Sequence, residues 1–277
     1  MNKGINVLSL FDGISCGQIA LERAGIKVDN YFASEIDKNA IKVTQHNYPN
    51  TIQLGTVTDI KAENLPQIDL VIGGSPCQGF SLMGKQLNFN DPRSKLFFEF
   101  VRLVKESRPK YFLLENVKMK KEFEDIITDS LEVEPIKINS SLVSAHLRSR
   151  YYWTNIPNIL IPQDKMINLN DILEFGESER QKSVTLLASY GDKIANEAGV
   201  RHYKNRSVGQ LIPDDTSNCG YRKLTVKEAS RLQTVPDTYL QVEGVSDKEK
   251  YRQLGNGWTV DVIAHIFSSL PQEFKNG

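Results

Sequence analysis

The chain has 277 residues, of which 40% are hydrophobic and 25% charged, and its basic and acidic side chains number 34 each. This composition is typical of a globular protein with a full core, and it excludes a chain that is basic throughout. No apolar run approaches the roughly 20 residues that span a bilayer, so no membrane partner is expected. The cysteines form no CxxC pair, which argues against a disulfide framework or a zinc site and favours a reducing cytoplasm. They are Cys16, Cys77 and Cys219.

The first half of the chain alternates two kinds of segment. Short apolar runs that end in a glycine turn or an acid alternate with segments whose apolar residues recur at helical spacing. This alternation predicts an α/β fold with a doubly wound, mostly parallel sheet. The predicted strands are 5–11, 28–35, 68–74 and 110–117, and the predicted helices between them are 15–25, 38–48 and 91–109.

The regular pattern is interrupted after about residue 157. Residues 158–222 are polar, with short apolar pieces and no clear period, which indicates an inserted segment. Regular helices are predicted again beyond it. Thr225 followed by Glu228 is a capping box, and GNG at 255–257 leads into a helix with an apolar face.

A glycine turn follows the first predicted strand, and acids follow the next two. Glu35 ends the second strand 22 residues after Gly13 of the turn FDGISCG. That spacing is typical of an acid that binds ribose hydroxyls, and Asp59, where a third strand is expected to end, could accept from an adenine amino group. The alternative is that both acids are simply solvated. Together they favour an adenosine ligand. The turn is not GxGxxG, but S-adenosylmethionine and a nicotinamide dinucleotide both stay open.

Cys77 lies in GGSPCQGFSL, a turn at the carboxyl end of a strand that is predicted to be buried. A free cysteine is more often a small buried hydrophobe than a nucleophile, but ligands bind at this edge of an open α/β sheet. Glu115 ends the next strand at the same edge. Arg148 and Arg150 alternate along a predicted strand, HLRSRYYW, and are expected to point the same way. These positions favour a reactive Cys77 over a core filler without deciding between them.

The motifs together resemble the cytosine-5 DNA methyltransferase family. The resemblance covers about 5–157 and 222–270, and the ordered set is very specific. Within the family, LSLFDGI, LFFEF and the Trp after GNG resemble the catalytic domain of the animal de novo enzymes, whereas the chain as a whole looks like a free-standing bacterial or phage enzyme. The motifs, in the family's order, are FDGISCG, Glu35, Asp59, GGSPCQGFS, ENV, HLRSR, RLQTVP and QLGNGW.

The resemblance implies an α/β, Rossmann-like methyltransferase fold with a mixed, mostly parallel sheet. It implies that 1–157 is the catalytic and cofactor-binding domain, that 158–222 is a small target-recognition segment, and that 223–277 forms helices returning to the catalytic domain. The implied reaction transfers a methyl group from S-adenosyl-L-methionine, without a metal, to carbon 5 of cytosine in a specific short DNA sequence.

The resemblance also implies roles for the reacting residues. Cys77 would add as a thiolate to carbon 6 of the base, which makes carbon 5 nucleophilic. Glu115 would contact the ring nitrogen and the exocyclic amine, and Arg150, with Arg148, would hold the base oxygen and the Cys77 region. The target base must be flipped out of the duplex, and residues 78–94 are expected to be a mobile loop that closes over it.

Two further sets of positions are predicted. The cofactor contacts follow from the motifs, whereas the basic DNA contacts follow from the composition of the unmatched inserted segment, for which a solvated surface loop is the alternative. The strip GVRHYKNRSVGQL, 199–211, has three basic side chains and no acid, and it is expected to contact phosphates and base edges. The predicted DNA contacts are Gln78, Ser81, Arg180, Lys182, Arg201, Lys204 and Arg206. The cofactor positions are Phe11, Asp12, Gly13, Ile14, Glu35, Ile36, Asp59, Ile60 and Pro76, with Asn256, Gly257 and Trp258 completing the pocket.

Three other functions compete with a DNA methyltransferase. The same chemistry on transfer RNA is disfavoured by QGFS after the PC pair, and a catalytically dead relative is disfavoured because Cys77 and Glu115 are both present. A nicotinamide-dependent oxidoreductase is disfavoured because the turn FDGISCG after the first strand lacks the GxGxxG pattern. The expected partner is double-stranded DNA in the cytoplasm of a bacterium or of a phage host. A cognate restriction endonuclease is compatible with the resemblance but not required by it, and a monomer or weak homodimer is expected.

Overall fold

The computed structural model describes residues 4–76, 92–192, 196–206 and 209–275, without the side chains of 92–94 and 206. The chain divides into two compact units. These bounds differ from the sequence expectation, because most of the C-terminal helical region groups with the inserted segment. The first unit consists of 1–138, 149–161 and 264–277, and the second of 139–148 and 162–263.

The first unit contains a seven-stranded sheet in the order β3-β2-β1-β4-β5-β7-β6. The pairs from β3 through β5 are parallel, and β7 runs antiparallel to β5. The prediction of a mixed, mostly parallel, doubly wound sheet is confirmed. The strands are β1 (Ile5–Leu10), β2 (Val28–Ser34), β3 (Ile52–Gln53), β4 (Leu70–Gly73), β5 (Tyr111–Asn116), β6 (Ile136–Asn139) and β7 (Ser149–Thr154).

Burial on both faces explains why the central strands were visible in the sequence. Every residue of β1 and of β4 is buried. Strands covered by helices on both sides need apolar residues on both faces, and they therefore show as continuous apolar runs. The helices of this unit are α1 (Cys16–Arg23), α2 (Lys38–Asn47), α3 (Pro92–Ser107) and α4 (Lys121–Leu131).

The carboxyl ends of four neighbouring strands lie in register. Leu10 pairs with Ser34 on one side and with Gly73 on the other, and Gly73 pairs with Leu114. The strand order reverses direction between β1 and β4, and ligands bind outside such a switch point in open α/β sheets. The residues that directly follow these four positions at the same edge are Phe11, Glu35, Gly74 and Glu115.

The second unit has more regular structure than its sequence predicted. Residues 199–206 of the predicted strip are helical, because Tyr203 packs with Leu211 and Tyr221, and Val200 one turn earlier packs against the same cluster. The capping box formed by Thr225 and Glu228 is confirmed. The elements are α5 (Glu197–Arg206), β8 (Leu211–Pro213), β9 (Tyr221–Lys223), α6 (Val226–Leu232) and α7 (Asp247–Asn256), followed by α8 (Val260–Phe267), which continues into the first unit.

Candidate active site and cofactor site

The turn after β1 has an unusual backbone. Phe11, Gly13 and Ser15 all adopt left-handed conformations, with φ of 58°, 59° and 54°. Glycine takes this conformation freely, but for Phe11 and Ser15 it is strained, and strain of this kind concentrates at functional sites. A side chain at Gly13 would meet no other atom within 4 Å, so the turn faces open space. The turn is therefore built to approach a ligand.

Hydroxyl groups around Asp12 hold the turn in this shape. The Oδ1 atom accepts from Ser9 Oγ at 2.6 Å and from the Tyr31 hydroxyl at 2.7 Å, and Oδ2 accepts from Ser15 Oγ. Burial raises the pKa of Asp12 from 3.8 to about 6, and the charge of Glu35 adds to the increase while the three hydroxyls oppose it. Asp12, predicted as a cofactor contact, thus shapes the turn internally.

The raised pKa of Asp12 gives a testable pH dependence. A carboxyl whose pKa is higher in the folded state favours folding most when protonated, and this contribution is lost as the pH rises through about 6. Relative to wild type, we expect Asp12→Asn to gain about 2 kcal/mol in the free energy of unfolding between pH of about 4 and about 8. Urea unfolding across this range measures it, and a difference that is constant with pH would contradict it.

Glu35 joins the turn to the end of β2. Its Oε2 accepts from the Gly13 amide at 2.7 Å, and its Oε1 accepts from the amides of Ile36 and Asp37 at 2.7 and 2.8 Å. Carboxylate oxygens carry about four lone-pair sites in all, so the group retains acceptor capacity for hydroxyls. The carboxylate is thus fixed in position beside the turn.

Four of the predicted cofactor positions, three isoleucines and Asp59, differ in exposure. The side chain of Ile36 is 74% exposed, whereas Ile14 and Ile60 are buried. Exposure of a large apolar side chain next to Glu35 fits the face of an adenine. Asp59 is exposed but does not end a strand: it lies in the 3-10 helix Val57–Asp59, because β3 is only two residues long. The predicted strand position of Asp59 was wrong.

Glu115 and Arg150 form an ion pair at the carboxyl edge. Arg150 Nε lies 3.0 Å from Glu115 Oε1, and the two side chains are 14% and 11% exposed. The pair forms because β7 runs antiparallel to β5, with Tyr152 opposite Glu115 and Tyr151 opposite Asn116, which brings the start of β7 beside the end of β5. The structure therefore brings together two of the residues that the sequence predicted to act on the base.

Asn116 supports the chain that leads to Cys77, a role that the sequence analysis did not assign. Its Nδ2 donates to Ser75 Oγ at 3.2 Å and to the Ser75 carbonyl at 3.4 Å, and all of these atoms are buried. The sequence did contain a pointer to this residue, because Asn116 is the second residue of the ENV motif, directly after Glu115. Pro76 is the last described residue of this segment, and Cys77, Gln78 and Ser81 lie outside the described residues.

Arg148 is placed differently from Arg150. It precedes β7 and is buried, with its guanidinium donating to the carbonyls of Leu186, Gly255 and Gly257. The expectation that the two arginines alternate along one strand and point the same way was wrong. The strand begins only at residue 149, and Arg148 belongs to the second unit.

The basic residues predicted to contact DNA fall into two groups. Lys182 Nζ donates to the carbonyls of Ser141, Ser144 and Ile167, which uses all three of its hydrogens, and Arg180 donates to the Tyr203 hydroxyl at 2.9 Å. These contacts favour structural roles for both. Arg201 and Lys204 are exposed on α5. Arg206 is the last residue of that helix, and its side chain is not among those that the structure describes.

Asn256, Gly257 and Trp258 lie in the second unit. Asn256 ends α7 and is exposed, and Gly257 and Trp258 are half-buried in the link to α8. Their contribution to the cofactor pocket stays a prediction. Across the described ranges, no group of three or more His, Cys, Asp or Glu side chains could hold a metal ion. No helix among those residues is long and apolar enough to cross a membrane.

Comparison with known families assigns the chain as a whole. The model of the C-5 cytosine-specific DNA methylases matches residues 5–132 and 118–272. The chain belongs to this family. It is a DNA cytosine-5 methyltransferase, and the resemblance read from its motifs is confirmed. The family implies S-adenosylmethionine as the methyl donor.

Curated relatives and solved structures agree with this assignment. The type II methyltransferase M1.ScrFI of Lactococcus lactis subsp. cremoris is 32% identical over 95% of this chain and 77% of its own length. The type II methyltransferase M.NlaX of Neisseria lactamica is 30% identical over 95% of both chains. The Entamoeba histolytica methyltransferase EhMeth has the same fold, with a TM-score of 0.77 at 21% identity over 97% of this chain and 98% of its own.

Proposed function

We propose that the chain methylates a cytosine flipped out of double-stranded DNA through a transient covalent bond to Cys77. The observation that carries this proposal is the Glu115–Arg150 ion pair, on strands at the same edge where β4 leads through Pro76 to Cys77. A nearly buried carboxylate and guanidinium 3.0 Å apart can together bind the donor and acceptor groups on one edge of a base.

The covalent step overcomes the low reactivity of cytosine at carbon 5. Addition of the Cys77 thiolate to carbon 6 moves the ring π electrons to carbon 5, which becomes the nucleophilic end of an enamine. S-adenosylmethionine supplies the methyl group as an electrophile and leaves as S-adenosylhomocysteine. A base then removes the carbon 5 proton, the ring double bond reforms, and the bond between carbon 6 and the Cys77 sulfur breaks to return the thiolate.

Glu115 and Arg150 divide the polar groups of the base between them. Glu115 contacts the ring nitrogen and the exocyclic amine, and stabilises or protonates the ring as charge develops on it. Arg150 holds the base oxygen with donors whose directions are fixed by the planar guanidinium. Because the ion pair already fixes both side chains, little reorganisation is needed when the base enters.

The cofactor is held beside the glycine turn. Glu35 accepts from the ribose hydroxyls, Ile36 covers one face of the adenine, and Asp59 accepts from the adenine amine. The carboxylate of Glu35 fixed by three amides, the exposed Ile36 and the open space beside Gly13 fit these roles. Asn256, Gly257 and Trp258, at the end of α7 and just after it, are also proposed to bind the methyl donor.

Helix α5 supplies phosphate contacts through Arg201 and Lys204, both of which are exposed. We expect Lys204→Ala to weaken DNA binding about fivefold at moderate salt and to reduce the slope of log K against log salt by about 0.9, the value of one phosphate contact. Titration of a labelled duplex at several salt concentrations measures both. The matched control is Lys121→Ala on α4, which removes another exposed helical lysine.

Lys182 provides the contrasting result for that experiment. Because its ammonium donates to three carbonyls, Lys182→Ala should lower the melting temperature and leave the salt slope unchanged. If the salt slope falls for Lys182→Ala and stays unchanged for Lys204→Ala, the assignment of the phosphate contact to Lys204 is wrong.

The relatives suggest the setting in which the enzyme acts. Named type II methyltransferases of bacteria and an orphan methyltransferase of a Bacillus phage match the chain. We place the enzyme in the cytoplasm of a bacterium or of a phage host, with double-stranded DNA as its macromolecular partner. A cognate restriction endonuclease is compatible with the type II relatives but is not required, since the phage relative is named an orphan methyltransferase.

Methyl transfer from labelled S-adenosylmethionine tests the proposal directly. Wild-type protein is given genomic DNA or total RNA, and the DNA product is mapped by bisulfite sequencing. We expect label on DNA only, at the cytosine of one short sequence. Label on RNA in place of DNA would contradict the proposal that DNA is the substrate. Label on DNA at adenine or at cytosine N4 would contradict the proposed covalent mechanism at carbon 5.

A further inference from the structure

The turn between α7 and α8, residues 254–258, is held by side chains from elsewhere in the second unit. Gln233 Nε2 donates to the Leu254 carbonyl at 2.6 Å and to the Gly257 carbonyl at 3.1 Å. Arg148 donates to the Gly255 carbonyl at 3.2 Å and to the Gly257 carbonyl at 2.9 Å. Three of the four carbonyls from 254 to 257 are thus fixed by only two side chains.

Both of these side chains are buried and held in one orientation. Arg148 is 4% exposed and Gln233 is fully buried. Thr259 Oγ1 donates to Gln233 Oε1 at 2.7 Å, and Ser140 Oγ donates to Thr259 Oγ1 at 2.8 Å. This chain of hydrogen bonds settles which end of the Gln233 amide donates, so its Nε2 must face the turn.

The start of α8 is fixed by the same segment. The Val260 amide donates to the Gln233 carbonyl at 2.9 Å, and the Asp261 amide donates to Thr234 Oγ1 at 2.9 Å. Thr234 has a left-handed φ of 53°, a strained conformation for a β-branched residue. A strained backbone of this kind persists only when surrounding contacts hold it in place. Here the hydrogen bonds from Val260 and Asp261 hold residues 233 and 234.

On its opposite side the turn packs tightly against the backbone of residues 187 and 188. A Cβ atom on Gly255 would lie 2.4 Å from the Ala188 amide nitrogen and from the Leu187 carbonyl carbon, so the two backbones touch. Arg148 also donates to the Leu186 carbonyl at 3.4 Å, which ties the same segment to the turn. With its carbonyls held inward, the turn leaves Asn256 exposed and Trp258 half-buried.

We propose that Arg148 and Gln233 are positioning residues that fix the Asn256–Trp258 turn for the methyl donor, rather than contacts to the cytosine. The inference rests on the proposed role of this turn in cofactor binding. Under this inference Arg148 does not contact the cytosine, contrary to the sequence prediction. Gln233, to which the sequence analysis assigned no role, positions the same turn. Loss of Gln233 frees the Leu254 carbonyl and loss of Arg148 frees the Gly255 carbonyl, and either loss leaves the Gly257 carbonyl with one of its two donors, which lets the turn move.

The test separates cofactor affinity from catalysis. Arg148→Lys keeps the charge but not the forked donors, and Gln233→Met keeps the volume without the amide. We expect each to weaken S-adenosylhomocysteine binding, measured by calorimetry, about tenfold, as the loss of one or two buried hydrogen bonds predicts. The KM for S-adenosylmethionine should rise by the same factor, with kcat within about threefold and the KM for DNA within about twofold.

Tryptophan emission gives an independent readout of the turn. The chain has two tryptophans, and Trp153 is fully buried in the first unit. The difference between a protein and its Trp258→Phe version therefore isolates Trp258, and we expect its emission to move to longer wavelength in both variants. A change of fold stability alone would not alter the emission of the folded protein.

The outcomes distinguish the inference from the function on which it rests. If kcat falls about a hundredfold in Arg148→Lys while S-adenosylhomocysteine binds as in wild type, Arg148 acts on the base and the inference is overturned. Unchanged binding in both variants also overturns it. If Arg148→Lys does not fold, Gln233→Met and Thr259→Val decide. If wild type itself binds no S-adenosylhomocysteine, the proposed function fails first.

Discussion

Cys77→Ala should lower methyl transfer to DNA by about 10⁴-fold or more, because alanine has no thiolate to form the proposed bond to carbon 6. Without that bond carbon 5 is not nucleophilic, so binding of both substrates cannot compensate. DNA affinity should stay within a few-fold of wild type, since the contacts on α5 are untouched. The measurement is labelled methyl transfer under single-turnover conditions, with the duplex Kd determined in parallel.

A chemical trap distinguishes the covalent bond from a binding role. With 5-fluorocytosine in the target site, carbon 5 carries no proton that a base can remove, so the adduct cannot resolve. Wild type should form a denaturant-stable complex with this duplex in the presence of S-adenosylmethionine, and Cys77→Ala should not. The matched control is Cys219→Ala, which removes a half-buried cysteine of the second unit. If Cys77→Ala forms the complex, the assignment of the nucleophile is wrong.

Glu115→Gln should lower kcat about 10²- to 10⁴-fold, because the amide cannot act as an acid toward the ring nitrogen as charge develops. The substitution keeps the shape of the side chain and an oxygen for Arg150 Nε, which lies 3.0 Å from Glu115 Oε1. The KM for S-adenosylmethionine should change little, since Glu35 holds the ribose separately. Rapid-quench kinetics with saturating DNA isolates the chemical step.

Removal of the partner tests whether the ion pair works as a unit. Arg150→Lys loses the fixed fork, and in the double variant with Glu115→Gln the loss of kcat should be clearly less than the product of the single losses. Glu99→Gln provides the control, because Glu99 pairs with Arg102 on α3 in the same unit. Activity of Glu115→Gln within about twofold of wild type would remove Glu115 from the mechanism.

The sheet edge could be predicted because its residues directly follow buried strands. Glu35 and Glu115 end apolar runs in the sequence, and parallel strands in register bring such ends to one edge. Asp59 was placed wrongly because β3 is two residues long, which leaves too few residues for a strand pattern. Helix α5 was missed because only a narrow stripe around Tyr203 is apolar, and the pattern of a helix with so little burial is weak.

The roles of the basic side chains depend on which carbonyl oxygens lie near them. Arg148 and Lys182 look like solvent-facing or ligand-binding cations in the sequence, yet both donate to backbone carbonyls within the second unit. Those acceptors lie up to 109 residues away, so no local pattern reports them. The same holds for Gln233, whose amide meets a turn more than 20 residues further along the chain.

The family, the methyl-transfer chemistry and the positions of the central strands along the chain were determined by the sequence alone, because these depend on which residues occur in short motifs and on continuous apolar runs. Three things were decided only by the tertiary structure: the Glu115–Arg150 pair, the hydroxyl groups that hold Asp12, and the bracing of the 254–258 turn by Arg148 and Gln233. The ion pair, the Tyr31 hydroxyl on Asp12 and the braced turn join groups that are far apart in the chain, and such distances exist only after packing has brought the groups together. The Ser9 and Ser15 hydroxyls are near Asp12 in the chain, and the left-handed backbone of the turn accompanies their contacts with it.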